Sequence, residues 1–138
     1  MKLAVEFPAV SYREGPAQVA RMAKGVEDIG YDQLDIYDHV IMGHDIEGRD
    51  KSYYTAKMPV LEAVAMLSFA AAVTERIGLC TEVLVLPQRQ PALVAKQFST
   101  LDLLSGGRAR LGVGVGWQAS EFDALDEDFK DRGKRTDE

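Results

Sequence analysis

The chain reads as four short apolar runs, at residues 3–8, 33–38, 76–87 and 109–116, separated by stretches in which apolar residues recur every three or four positions. The runs predict strands and the stretches between them predict helices. Between the first two runs, Val19, Met22, Ala23, Val26 and Ile29 share a helical face. Pro16 suits the first turn of that helix and Gly30 its end. Pro59 predicts the opening of a second helix over 60–75, with Leu61, Val64, Ala65 and Leu67 as its apolar face. Pro91 opens a third, striped by Leu93, Val94, Gln97, Leu101 and Leu104, and Gly106-Gly107 ends it. After the fourth run, Ser120 is placed to cap a short helix, with Asp123 at the capping-box spacing. Residues 132–138 are polar and helix-favouring.

The order β-α-β-α-β-α-β predicts right-handed βαβ units and a parallel sheet. The third run is nearly continuous in apolar character from Ile77 to Leu86, as in a strand covered on both faces. The longest irregular stretch, 42–57, follows the second strand. It therefore belongs at the C-terminal ends of the strands, where α/β proteins gather their sites. The fold class is α/β, and four βα units read as the first half of something larger. The sheet should leave open a face carrying Val5, Ile36, Val83 and Val113.

Composition narrows the partners. The chain has 138 residues, 46% hydrophobic and 28% charged, which suits one globular domain. An excess of 22 acidic over 16 basic residues argues against nucleic acid or an anionic membrane surface as a main partner. No stretch of about 20 apolar residues lacks charge, so no membrane span is expected. Glu6 and Pro8 interrupt the first apolar run, so it does not resemble a signal peptide, and the expected location is the cytoplasm. The single cysteine, Cys80, excludes an internal disulfide and a Cys-based zinc finger.

Candidate chemistry sits at the ends of the strands. The second run ends in Tyr37-Asp38-His39, and a His at a strand terminus is suited to proton transfer or to holding a polar ring. It equally suits a loop His bonded to backbone. Asp35, Asp38, His39, His44 and Asp45 lack the spacing of a metal site, and none is expected. Glu82 stands inside an apolar run, so it either reaches solvent at the mouth of the sheet or has a partner. Gly112, Gly114 and Gly116 alternate along the fourth run and strip one strand face of side chains. That lets a flat ligand or another backbone approach closely, or serves a sheet that needs small residues for its curvature. Arg89, just past the third run, could hold an anionic group of a substrate or stand in solvent.

In this order and spacing, several segments resemble the luciferase-like monooxygenase superfamily. They are Glu27-Asp28-Ile29-Gly30-Tyr31-Asp32, Asp38-His39-Val40, Thr74-Glu75-Arg76-Ile77-Gly78-Leu79-Cys80-Thr81, Leu86-Pro87-Gln88-Arg89-Gln90-Pro91, Leu101-Asp102-Leu103-Leu104-Ser105-Gly106-Gly107-Arg108 and Leu111-Gly112-Val113-Gly114-Val115-Gly116-Trp117. The resemblance is strongest to the branch that uses the deazaflavin coenzyme F420, whose relatives use FMN. It implies that residues 1–138 are the N-terminal half of a single TIM (β/α)8 barrel whose mouth holds the cofactor ring. It implies hydride transfer with a small organic substrate, or oxygen chemistry. Residue by residue, it implies His39 as catalytic acid/base and Asp38, His39, Thr81, Glu82, Val83, Gly112, Gly114 and Gly116 around the ring. It also implies a non-proline cis peptide at Glu82-Val83. Trp117 and Arg89 are the candidate substrate contacts. Trp117 stands where sugar-phosphate dehydrogenase relatives place a proton-donating Glu, so that reaction is not expected. A homo-oligomer is expected. The alternative, from a different class, is a non-catalytic half-barrel that only self-associates.

Overall fold

The computed structural model describes residues 1–8, 12–42, 47–48 and 54–138. His44 and Asp45 lie outside the described residues, as do 43–46 and 49–53 of the irregular 42–57 stretch. Among the described residues, six strands, β1 (Ala4–Glu6), β2 (Gln33–Ile36), β3 (Gly78–Thr81), β4 (Leu84–Val85), β5 (Ala109–Arg110) and β6 (Val113–Gly114), are interspersed with helices. The helices are α1 (Pro16–Ile29), α2 (Ala63–Val73), α3 (Pro91–Ser105), α4 (Ala119–Ala124) and α5 (Arg132–Asp137). The main sheet is parallel, in the order β1-β2-β3-β5, and β4 pairs with β6 in a second parallel ladder. These are four βα units of a barrel, open at both edges.

Local chemistry sets most helix ends. Pro16 and Pro91 stand in the first turns of α1 and α3, and Gly30 and Gly106 stop them in the left-handed conformation. The second helix departs from expectation. It begins at Ala63, not at Pro59, because the Glu62 carboxylate accepts the Ala65 N–H at 2.7 Å and caps it there. α4 likewise starts one residue before the expected cap, with Gln118 rather than Ser120 at the N-cap position. Arg108 ties the far ends of α2 and α3 together. Its guanidinium donates to the carbonyls of Ala71, Thr74 and Ser105, at helix C-terminal ends that leave carbonyls unpaired, and to that of Ile77 just before β3.

The core lies between the sheet and the helix layer. Leu34, Ile36, Ile77 and Leu79 are fully buried there against Ala63, Leu67 and Ala70 of α2 and Leu101 of α3. Val5 packs on the same side. This corrects the expected contents of the open face, because Val5 and Ile36 belong to the helix side. The register places Glu6, Asp35, Cys80 and Arg110 side by side, and strand alternation turns that row away from the helices. The face toward the barrel interior is therefore polar. The third apolar run is also not one strand: it breaks after Thr81, and the Glu82–Val83 peptide is cis, as the resemblance implied. No helix among the described residues is long and apolar enough to cross a membrane.

Candidate functional site

The C-terminal ends of β2, β3, β4 and β6 surround an open cleft of about 330 Å³. One wall comes from the exit of β2. Tyr37 and His39 line it with Tyr54, which lies on the far side of the irregular stretch. The Tyr37 and Tyr54 rings stack, 5.5 Å apart and 11° from parallel. His39 meets Tyr54 edge-on at 5.4 Å and Trp117 edge-on at 5.8 Å. Burial pushes the Tyr37 phenol up, helped by Tyr54 and Glu6, so its hydroxyl stays neutral. That hydroxyl is buried and has no hydrogen-bond partner among the described residues.

The floor comes from β4, β6 and the turn after them. Val83, Val85, Gly114, Val115 and Gly116 line it. A Cβ on Gly114 would collide with the Val83 side chain, and one on Gly116 would fall 2.7 Å from Val85 and 2.8 Å from the Phe122 ring. On Gly112 it would strike the Thr81 carbonyl oxygen. The alternating glycines thus admit the neighbouring strand first. Their effect on the cleft is indirect: Val83 and Val85 lie close over bare backbone, and the floor stays flat.

His39 is held from behind. Its side chain is 6% exposed, and Nδ1 lies 3.1 Å from Glu121 Oε2. The other Glu121 oxygen accepts the N–H groups of Val40 at 2.7 Å and Ile41 at 3.2 Å. Glu121 itself is 2% exposed on α4, next to the fully buried Phe122. Sequence reasoning missed Glu121. The available signal was an acidic residue beside Phe122 in a six-residue helix just after the glycine strand, where burial demands a partner.

Glu82 is exposed on the cleft wall, and its carboxyl faces that of Asp35, a buried residue of β2. The Asp35 carboxyl beside it pushes Glu82 up from its ordinary value. Asp35 is braced in turn by Gln33, whose amide donates to Oδ1 at 2.7 Å and accepts from Arg110 at 2.9 Å.

The remaining expected residues lie at the edge of the cleft or behind it. Asp38 borders it, but its carboxylate pairs with Arg89 and accepts the Ala63 N–H at the start of α2. Arg89 also reaches Glu62 at 3.4 Å and is not among the residues lining the cleft; its guanidinium is held in the ion pair with Asp38. Thr81 and Gly112 also lie one step below the cleft. The Thr81 hydroxyl donates to the Gly112 carbonyl at 2.8 Å and accepts its N–H at 3.0 Å, locking β3 to the glycine strand. The structure brings His39, Glu82, Val83, Gly114, Gly116 and Trp117 together around the cleft. Among the described residues there is no cluster of His, Cys, Asp and Glu suited to a metal ion.

A family model described as luciferase-like monooxygenase matches residues 2–138. An uncharacterised protein of Mycobacterium tuberculosis is 35% identical over 125 residues, covering 85% of this chain and 43% of its own length. An F420-dependent glucose-6-phosphate dehydrogenase of Kineococcus radiotolerans is 32% identical over 120 residues, 86% of this chain and 33% of its own. The crystal structure of the monooxygenase RslO1 from Streptomyces bottropensis superposes with a TM-score of 0.78 at 23% identity, over 99% of this chain and 40% of that one. The chain thus spans less than half the length of each.

Proposed function

Since the chain belongs to the luciferase-like monooxygenase family, we propose that it supplies the ring-binding half of an oxidoreductase that uses coenzyme F420, with FMN as the alternative, on a small organic substrate. The cleft fits a flat polycyclic ring. Its floor is backbone and valine, its walls are the aromatic rings of Tyr37, Tyr54 and Trp117, and the buried Tyr37 hydroxyl still lacks a partner among the described residues. A ring of this kind, when bound, accepts or returns a hydride. No Lys or Arg is among the described residues lining the cleft, so a phosphate-bearing tail would be held elsewhere.

The observation that carries the proposal is His39, placed on the wall directly beside the glycine floor. A substrate hydroxyl that loses a hydride from its carbon must also lose its proton. His39 is placed to take that proton, or to return it in the reverse direction. Val83 and Val85 make the floor apolar and would keep water away from a ring held against it. Trp117 closes the side next to His39 and limits the width of substrate admitted.

The kinship with an F420-dependent relative supports F420. The test is a spectral titration of the purified protein with F420 and, separately, with FMN. Saturable binding of F420 that Gly114→Val removes is the expected result. Binding of FMN alone selects the alternative cofactor, and binding of neither overturns the proposal. In the active enzyme, His39→Ala should lower turnover about 10²–10⁴-fold.

A further inference from the structure

The ring nitrogen that His39 offers to the cleft is decided on another element. Glu121 lies 82 positions away, on α4, and its two oxygens do different work. Oε1 accepts two backbone donors, the N–H groups of Val40 and Ile41. Oε2 faces Nδ1 of His39 at 3.1 Å. Burial would raise the Glu121 carboxyl. The hydrogen bonds to His39 and from the Ile41 N–H, with the Gln88 side chain also acting on it, outweigh burial and hold the group below the usual carboxylate range. Both oxygens are then acceptors only.

A neutral imidazole that faces an acceptor at Nδ1 keeps its proton there and carries its lone pair on Nε2. Among the described residues no other side chain is hydrogen-bonded to the ring, and its aromatic neighbours Tyr37, Tyr54 and Trp117 are at centroid distances of 6.3, 5.4 and 5.8 Å. The two backbone donors on Oε1 also prevent the carboxylate from rotating to follow the imidazole. We propose that Glu121 is the positioning residue of this site: it fixes His39 as the Nδ1–H tautomer and so presents Nε2 to the cleft as a proton acceptor. This rests on reading His39 as the proton-handling group. It adds which nitrogen acts, and that the acceptor form is set in place before any ligand arrives.

The carboxylate's division of labour makes Glu121→Gln a sharp test. The amide oxygen of Gln must stay on the Val40 and Ile41 N–H groups, because an NH₂ there would oppose two donors. The NH₂ then faces Nδ1, which must become the acceptor, and the proton moves to Nε2. The measurement is ¹⁵N NMR of the intact protein labelled at histidine. The chain has two histidines, so His44→Asn identifies the His39 signals. Neutral His39 should show Nδ1–H in the parent and Nε2–H in Glu121→Gln. The parent showing Nε2–H overturns the proposal, as does Glu121→Gln keeping the parental tautomer. If Glu121→Gln does not fold, the parental spectrum alone still decides. Cofactor plays no part in this measurement, so a protein that binds neither F420 nor FMN defeats the proposed function and leaves the tautomer result standing. With the activity in hand, Glu121→Gln should lower kcat on the order of 10²–10⁴-fold at neutral pH, as a wrong tautomer does in other enzymes, with KM little changed.

Discussion

Glu27 and Arg76 hold each other twice: the Glu27 carboxylate accepts the Arg76 N–H at 2.6 Å, while the Arg76 guanidinium donates to the Glu27 carbonyl at 2.7 Å. The same carboxylate takes the N–H groups of Glu75 and Ile77, so one buried side chain of α1 satisfies the whole turn that leads into β3. Truncation to Glu27→Ala would strand these donors. The expected loss is about 3 kcal/mol, toward the upper end of the cost of a buried donor left unpaired, and urea unfolding measures it.

The same contact predicts an acid-sensitive stability. Burial alone would raise the Glu27 carboxyl, but the N–H bonds from Arg76, Ile77 and Glu75 outweigh it and hold the group below its ordinary value. The folded state therefore binds fewer protons than the unfolded one in mild acid. This contribution is complete above the unfolded carboxyl's range and is lost as pH falls through the folded value. Melting temperature against pH should fall more steeply on the acid side in the parent than in Glu27→Gln. Identical acid limbs would remove Glu27 from the balance.

Arg89→Ala should cost more stability than a loop arginine would suggest. It leaves Asp38, 3% exposed, without its charged partner. Breaking a buried pair from one side typically costs about 3–5 kcal/mol. Asp38→Asn with Arg89→Ala should recover part of that loss. A denaturation midpoint for Arg89→Ala equal to the parent's would mean that the pair contributes nothing, and would reopen Arg89 as a ligand contact.

Elements governed by neighbours in sequence were legible, and contacts made by topology were not. Pro16, Gly30, Pro91 and Gly106 act on their own turns, so α1 and α3 could be placed to the residue. Pro59 misled because the Glu62 side chain supplies a better start three positions later. Residues 33–38 alternate Gln, Leu, Asp, Ile, Tyr, Asp, and the pattern alone does not say which set faces the barrel interior. The helix layer, made of Ala63, Leu67, Ala70 and Leu101, claims Leu34 and Ile36 and leaves Asp35 to the interior. His39 was legible because a strand end marks the mouth. Glu121 was not, because only the packing of α4 against the exit of β2 brings it there.

The glycine strand separates two costs that look alike in sequence. A methyl on Gly112 meets the Thr81 backbone carbonyl, which cannot yield, whereas one on Gly114 meets the Val83 side chain, which can turn into the cleft. Gly112→Ala should therefore lower the melting temperature strongly. Gly114→Ala should lower it less and weaken ring binding instead, as Val83 is displaced. Adding Val83→Ala to Gly114→Ala should restore binding, a non-additivity expected for residues in contact. Equal melting losses for the two single variants would contradict this assignment.

A protein consisting of residues 1–138 alone is expected to self-associate, through surfaces other than the barrel interior. The interior row of Glu6, Asp35, Cys80 and Arg110 is polar and gives little drive for association. The strand edges do give one, since β1 and β5 end the main sheet and each offers unpaired backbone to another chain. So do the helix flanks, where Leu103 and Leu104 of α3 are 80% and 74% exposed and Ile29 of α1 is 78% exposed. Large apolar side chains left in water favour burial against a second copy. Sedimentation should give a mass above the 15.2 kDa of one chain that rises with concentration. Leu103→Glu with Leu104→Glu should lower it without loss of helix content, because neither side chain belongs to the core. A monomer at every concentration would show that the edges and flanks are tolerated in water, and that four βα units of this kind stand on their own.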